Sequence, residues 1–160
     1  MEPISWEVNS SKFTDSYVAG FLDGDGSIVA TVDKRPERRR FPYQVRLKVN
    51  LTQHERHRDL LHKLRMYLGN IGSLREVKSH HLVELVIQGR MQVKNLLIKL
   101  LPHLILKERQ AKIMLRAIEI YDGAKVNVRS SLSEKEYQNI LALVRQIRNL
   151  NSGTGGKKEI

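Results

Sequence analysis

The 160-residue sequence contains no cysteine, which excludes a disulfide scaffold, a thiolate zinc site and a cysteine nucleophile. Aromatic residues are scarce at 6%, and neither of the clearest strand segments carries the aromatic pair on which a single-strand binder stacks bases. No apolar run approaches the ~20 residues that span a bilayer. The longest nearly apolar stretch, residues 95–106, is interrupted by Lys99 and His103, and no N-terminal signal pattern precedes it, so a membrane is not an expected partner. Acidic residues are outnumbered, with 17 Asp and Glu against 28 Lys and Arg, so 28 − 17 gives a formal charge of +11. Such an excess says nothing about fold but a good deal about partners, and it points to a polyanion, most simply nucleic acid. The 41% hydrophobic content is too high for a disordered basic tail. Length and composition suit one domain over residues 1–150, followed by a flexible basic tail over 151–160.

Helix and strand signals alternate along the chain. Thr14 and Asp15 start a helix in which Tyr17, Val18, Phe21 and Leu22 recur at helical spacing, and Gly24 and Gly26 stop it. Residues 27–33 alternate as a strand, and 34–42 form a charged turn. The cleanest strand is 43–52, with Val45, Leu47, Val49 and Leu51 on one face and Gln44, Arg46, Lys48, Asn50 and Thr52 on the other. A helix is expected over 54–68, two short strands over 73–78 and 82–88, and helices over 93–101 and 108–121. Among the apolar residues of the last are Ile113, Leu115, Ile118 and Ile120. Ser133 with Glu136 forms a capping box that opens a final helix running to about residue 149. Strands in pairs joined by short turns indicate antiparallel hairpins. The fold class is therefore α+β, with a four-stranded antiparallel sheet and helices on one face.

The polar face of that sheet mixes amides with cations. Gln44, Arg46, Lys48 and Asn50 share a direction, Thr31 and Arg75 add to them from neighbouring strands, and Arg35, Arg38, Arg39 and Arg40 crowd the adjoining loop. A solvated face needs only charge. Arg and Lys bind phosphates or guanine edges and Gln and Asn pair with adenine, so this mixture fits double-stranded DNA in the major groove. RNA is a secondary ligand on the same charge argument.

The sharpest feature is Ala19-Gly-Phe-Leu-Asp23-Gly-Asp25-Gly-Ser27. Two carboxylates at the C-terminal end of a helix lie against the negative end of its dipole. A bound divalent cation resolves the conflict, and carboxylate, backbone carbonyl and water are the donors that magnesium takes. An EF-hand register fails, because it places Phe21 and Val32 where the essential first Asp and final Glu belong. A simple Asp-Gly turn is the bland alternative. Ala19 and Gly20 are small residues on an otherwise bulky helix and permit close approach of a second helix. If that helix belongs to another copy of the chain, two Asp25 carboxylates meet across a two-fold axis, which again calls for metal.

The segment from Tyr17 to Gly26 resembles the defining motif of the LAGLIDADG homing endonucleases, and its single copy resembles the homodimeric branch. The resemblance implies an αββαββα saddle acting on a long, nearly palindromic DNA site. Dimerisation would then run through the motif helix, with Tyr17, Ala19, Gly20, Phe21 and Asp23 in the interface. It implies metal at Asp25 and the Gly24 carbonyl, with Mg2+ or another divalent ion such as Mn2+, and Ca2+ in a non-cleaving complex. It also implies catalytic roles for Gln53, Lys107 and a basic residue early in the next helix, where His57 aligns between Arg56 and Arg58. The protein would act inside the cell, at DNA. Phosphodiester hydrolysis by metal-assisted attack of water follows, and needs no covalent enzyme intermediate. The alternative is a non-cleaving member of the same fold, an RNA maturase or a DNA-binding regulator.

Overall fold

A computed structural model describes residues 7–38, 43–124 and 132–152. Its main elements are α1 (Asp15–Asp25), β1 (Gly26–Lys34), β2 (Tyr43–His54), α2 (Arg58–Tyr67), β3 (Ser73–Val77), β4 (Leu82–Gln88), α3 (Arg90–Leu100), α4 (Glu108–Gly123) and α5 (Glu134–Leu150). All neighbouring strands are antiparallel, in the order β1-β2-β4-β3, so the second hairpin joins the first through β4.

Period-two alternation divides the sheet into two faces. Ile28, Ala30, Leu47, Val49, Leu51, Val83, Leu85 and Ile87 are buried on one. Val18 and Leu22 of α1, Leu61 and Leu64 of α2, Leu97 of α3, Ile118 of α4 and Ile140 of α5 belong to the same apolar cluster. Each large side chain so buried contributes about 1.5–3 kcal/mol. The opposite face bears Thr31, Gln44, Arg46, Lys48, Asn50 and Arg75, all partly or fully exposed.

Local signals in the sequence are realised at the helix ends. The Thr14 hydroxyl accepts from the Tyr17 N–H at 3.1 Å, and Ser133 and Glu136 form both halves of a capping box. Gly26 lies where α1 turns directly into β1. A Cβ there would come within 2.8 Å of both the Asn50 carbonyl oxygen and Leu22 Cα, so only glycine lets helix and sheet approach this closely. At the other end of the chain, Asn151 Nδ2 donates to the Ile28 carbonyl at 2.8 Å, tying the end of α5 to β1.

Two local expectations differ from the structure. The helix expected from residue 54 begins at Arg58, because His54 still pairs with Leu82 in the sheet and Glu55–His57 form a 3₁₀ turn. Asn151 and Ser152 are hydrogen-bonded at the end of α5 and so do not begin a free tail. The rest of the expected tail, 153–160, lies outside the described residues, as do Arg39 and Arg40 of the charged turn.

Candidate functional site

Residues from three separate parts of the chain converge at the C-terminal end of α1. The carboxylate of Asp23 accepts three backbone N–H groups, from Ile105 at 2.8 Å, Leu106 at 3.2 Å and Lys107 at 2.9 Å. Lys107 is the N-cap of α4, so Asp23 holds from another helix the three residues that lead into α4, without capping the first-turn amides of α4 itself. Burial pushes the Asp23 pKa up, but the three N–H bonds and the nearby Lys107 charge together hold it below its usual value. The expectation that a cation relieves both carboxylates is therefore corrected for Asp23, which the protein's own amides satisfy. The Asp23 carbonyl in turn accepts from Lys107 Nζ at 2.5 Å, which directs the ammonium to the end of α1.

Asp25 is exposed, and its Oδ2 receives Gln53 Nε2 at 3.3 Å. Gln53 lies opposite Val83, on the helix side of the sheet, and its Oε1 accepts from the His54 N–H at 2.9 Å. Of the four expected catalytic side chains, the structure thus brings Asp25 and Gln53 into contact and directs Lys107 to the same helix end. His57 closes the 3₁₀ turn that follows β2, is exposed, and its Nε2 accepts from Arg56 Nε at 3.3 Å. Among the described residues no group of three or more His, Cys, Asp or Glu side chains could hold a metal ion. The available donors are one carboxylate and main-chain carbonyls, all hard oxygens. That set fits a magnesium-like ion that keeps several waters and takes its remaining ligands from a substrate phosphate.

The polar sheet face is more paired than its sequence pattern suggests. Arg46 Nε lies 2.6 Å from Asp33 Oδ2, and Arg75 pairs with Glu84 directly across the strands. Arg35 Nε donates to Gln44 Oε1 at 3.0 Å. Lys48 makes no ion pair among the described residues, and Arg38 is exposed in the turn after β1. Asn50 Oδ1 is buried and has no hydrogen-bond donor among the described residues. Asp33 and Glu84 were missed in the sequence. Their parity was visible, but their cationic partners emerge only once the strand register is known.

The outward side of α1 also differs from expectation. Ala19 is fully buried in the chain's own core, so it is not surface for a second helix. The exposed small residues are Gly20 and Gly24, four apart and hence on one helix face, and a Cβ added to either would meet nothing within 4 Å. Tyr17 is exposed beside them and stacks on Phe13 with ring centroids 5.7 Å apart, while Phe21 is half-buried.

An antiparallel β1-β2-β4-β3 sheet backed by helices, with an acidic helix end against it, defines an α+β class that is represented among solved structures. The homing endonuclease I-CvuI in complex with its target in the presence of calcium superposes with a TM-score of 0.78 at 28% identity, covering 91% of this chain and 85% of that one. The same enzyme on the I-CreI target with magnesium, its DNA not cleaved, gives a TM-score of 0.75 at 28% identity, with the same coverage of 91% and 85%. The chain belongs to the LAGLIDADG endonuclease family, whose model matches residues 18–121. The DNA endonuclease I-CreI of Chlamydomonas reinhardtii is 36% identical over 109 residues, and I-CvuI of Chlorella vulgaris is 34% identical over 110. These matches cover 68% and 69% of this chain, and 64% and 66% of the two relatives, just under two thirds of their length.

Proposed function

We propose that the protein is a site-specific DNA endonuclease of the homing type, acting inside the cell as a homodimer on a long, nearly palindromic duplex. The observation that carries this reading is the Asp25–Gln53 contact at the end of α1, with Lys107 turned toward the same point. Asp25 and the Gly24 carbonyl would hold a divalent ion, magnesium in the cleaving complex. Such an ion supplies charge stabilisation at the scissile phosphate and lowers the pKa of water. Gln53 orients the attacking water through its amide. The Lys107 ammonium offsets charge that builds on the phosphate oxygens, and His57 or a neighbouring arginine adds to it from the start of α2.

The polar sheet face binds the duplex. The Arg46–Asp33 pair is exposed on both sides, at 44% and 41%. An exposed pair of this kind is worth about 0–1 kcal/mol, so Arg46 is exchanged to a phosphate or a guanine edge at little cost. The buried Asn50 Oδ1, without a donor among the described residues, accepts from a water that links it to the duplex. The Gly20–Gly24 edge with Tyr17 forms the two-fold seam and brings together one Asp25 from each copy.

The deciding experiment is magnesium-dependent cleavage of a randomised duplex library, with EDTA and Asp25→Asn as controls. Enriched cutting at one pseudo-palindromic sequence, lost in both controls, is expected. The Asp25→Asn loss should reach about 10³-fold, near 4 kcal/mol of barrier, while binding persists. Salt-sensitive duplex binding without cutting would instead favour a DNA-binding regulator. Preference for structured RNA would favour a maturase.

A further inference from the structure

Lys107 is held at both ends by one residue. Its backbone N–H donates to Asp23 Oδ1 at 2.9 Å, and its Nζ donates to the Asp23 carbonyl at 2.5 Å. The other carboxylate oxygen fixes the two preceding amides, at 2.8 and 3.2 Å. Little else anchors this loop. Ile105 and Leu106 are 88% and 72% exposed, so burial of their side chains does not set its position, and apolar anchoring comes from Leu104 on one side and Ala111 on the other. A lysine has a flexible four-carbon stem whose ordering costs substantial rotamer entropy. A fixed amide at one end and a fixed acceptor at the other leave the stem little freedom.

We propose that Asp23 is a positioning residue for Lys107, setting where the ammonium stands relative to Asp25. The kinetic consequence rests on the nuclease reading; the geometric one does not. Gln53 has a comparable restraint through the His54 N–H, so the two polar groups flanking Asp25 are each fixed by main-chain contacts. A residue that only fixed the loop ahead of α4 would stabilise the fold and leave the lysine indifferent. A positioning residue changes the lysine itself.

Two measurements on the full chain separate these roles. The first is the acetylation rate of Lys107 relative to exposed Lys135, followed by mass spectrometry. Asp23→Asn places an amide against N–H donors, and should raise the relative rate several-fold in protein that still melts cooperatively. Asp23→Glu, which keeps both oxygens, should restore part of the protection. The second is single-turnover cleavage of the selected duplex. Asp23→Asn should slow the chemical step by about 10–100-fold, with duplex Kd in calcium changed less than about 3-fold. In a Lys107→Ala background the same substitution should cost less than about 3-fold, because its route is already removed. An unchanged Lys107 acetylation ratio, or equal kinetic losses in both backgrounds, would overturn the proposal. If the wild type cuts nothing, the nuclease reading falls and the acetylation result alone decides the clamp.

Discussion

Replacing Gly26 by alanine tests the junction on which the whole site depends. The added Cβ would lie 2.7 Å from Leu22 Cδ1, 2.8 Å from Leu22 Cα and 2.8 Å from the Asn50 carbonyl oxygen. The Leu22 methyl belongs to a flexible side chain, but the other two are main-chain atoms of α1 and β2 and yield only if helix and sheet separate. Overpacking a tight site costs about 1–3 kcal/mol, and two main-chain contacts place this one at the upper end. At roughly 2–4 °C per kcal/mol for a chain of about this size, a 3 kcal/mol loss lowers Tm by roughly 6–12 °C. Asp25 is the adjacent residue, so the same separation moves its carboxylate off Gln53, now at 3.3 Å. A displacement near 1 Å is worth about 10²-fold in rate. Thermal melting and single-turnover cleavage read the two effects. Gly123→Ala is the control, since nothing lies within 4 Å of its added Cβ and its φ is not in the left-handed region. If Gly26→Ala melts within about 1 °C of wild type and cuts normally, the argument from close approach is wrong.

Three other outcomes are expected. Gly20→Ala should stabilise an isolated α1 by up to ~1 kcal/mol through helix propensity yet weaken self-association, seen as a monomer shift in analytical ultracentrifugation; an unchanged dimer would move the seam elsewhere. If the dimer neutralises about 10 phosphates, log K for the duplex should fall against log salt with a slope near −9, and a slope shallower than about −4 would mean that the sheet face is not the binding surface. The Ser133 backbone N–H, together with its side chain, holds the Glu136 pKa below its usual 4.5. Its contribution to stability is therefore complete above pH 4.5 and is lost as pH falls through the lower folded value. Glu136→Gln should flatten that part of the acid melting profile, and an identical acid profile would show that the capping box does not titrate in folding.

Much of this architecture was legible in sequence because its signals are local. Thr14, the Ser133–Glu136 pair and the strict alternation through Val45, Leu47, Val49 and Leu51 act within a few residues of themselves, and each appears where expected. Helix α2 began late because His54 obeys a partner, Leu82, that lies 28 residues away. The same holds at the site. Asp25 and Gln53 could be named from motif and spacing, whereas the role of Asp23 depends on amides 82 to 84 residues distant. Ala19 was misassigned because a small residue reads identically whether it lets a partner approach or lets its own core close; only the burial of its side chain separates the two.

The bond from Asn151 to the Ile28 carbonyl has a meaning beyond docking α5. Among the described residues β1 has only β2 beside it, so its other margin offers main-chain groups to any stray strand. At five residues β3 is a short template on the opposite margin, but β1, at nine, is long enough to recruit one. Asn151 occupies an acceptor on that margin as a plug would. A version trimmed to residue 150 would keep every residue of the candidate site and uncover a sticky border, leaving a folded protein prone to pair edge to edge with another copy. Fusions and tags therefore belong after Ser152, where the plug is left in place.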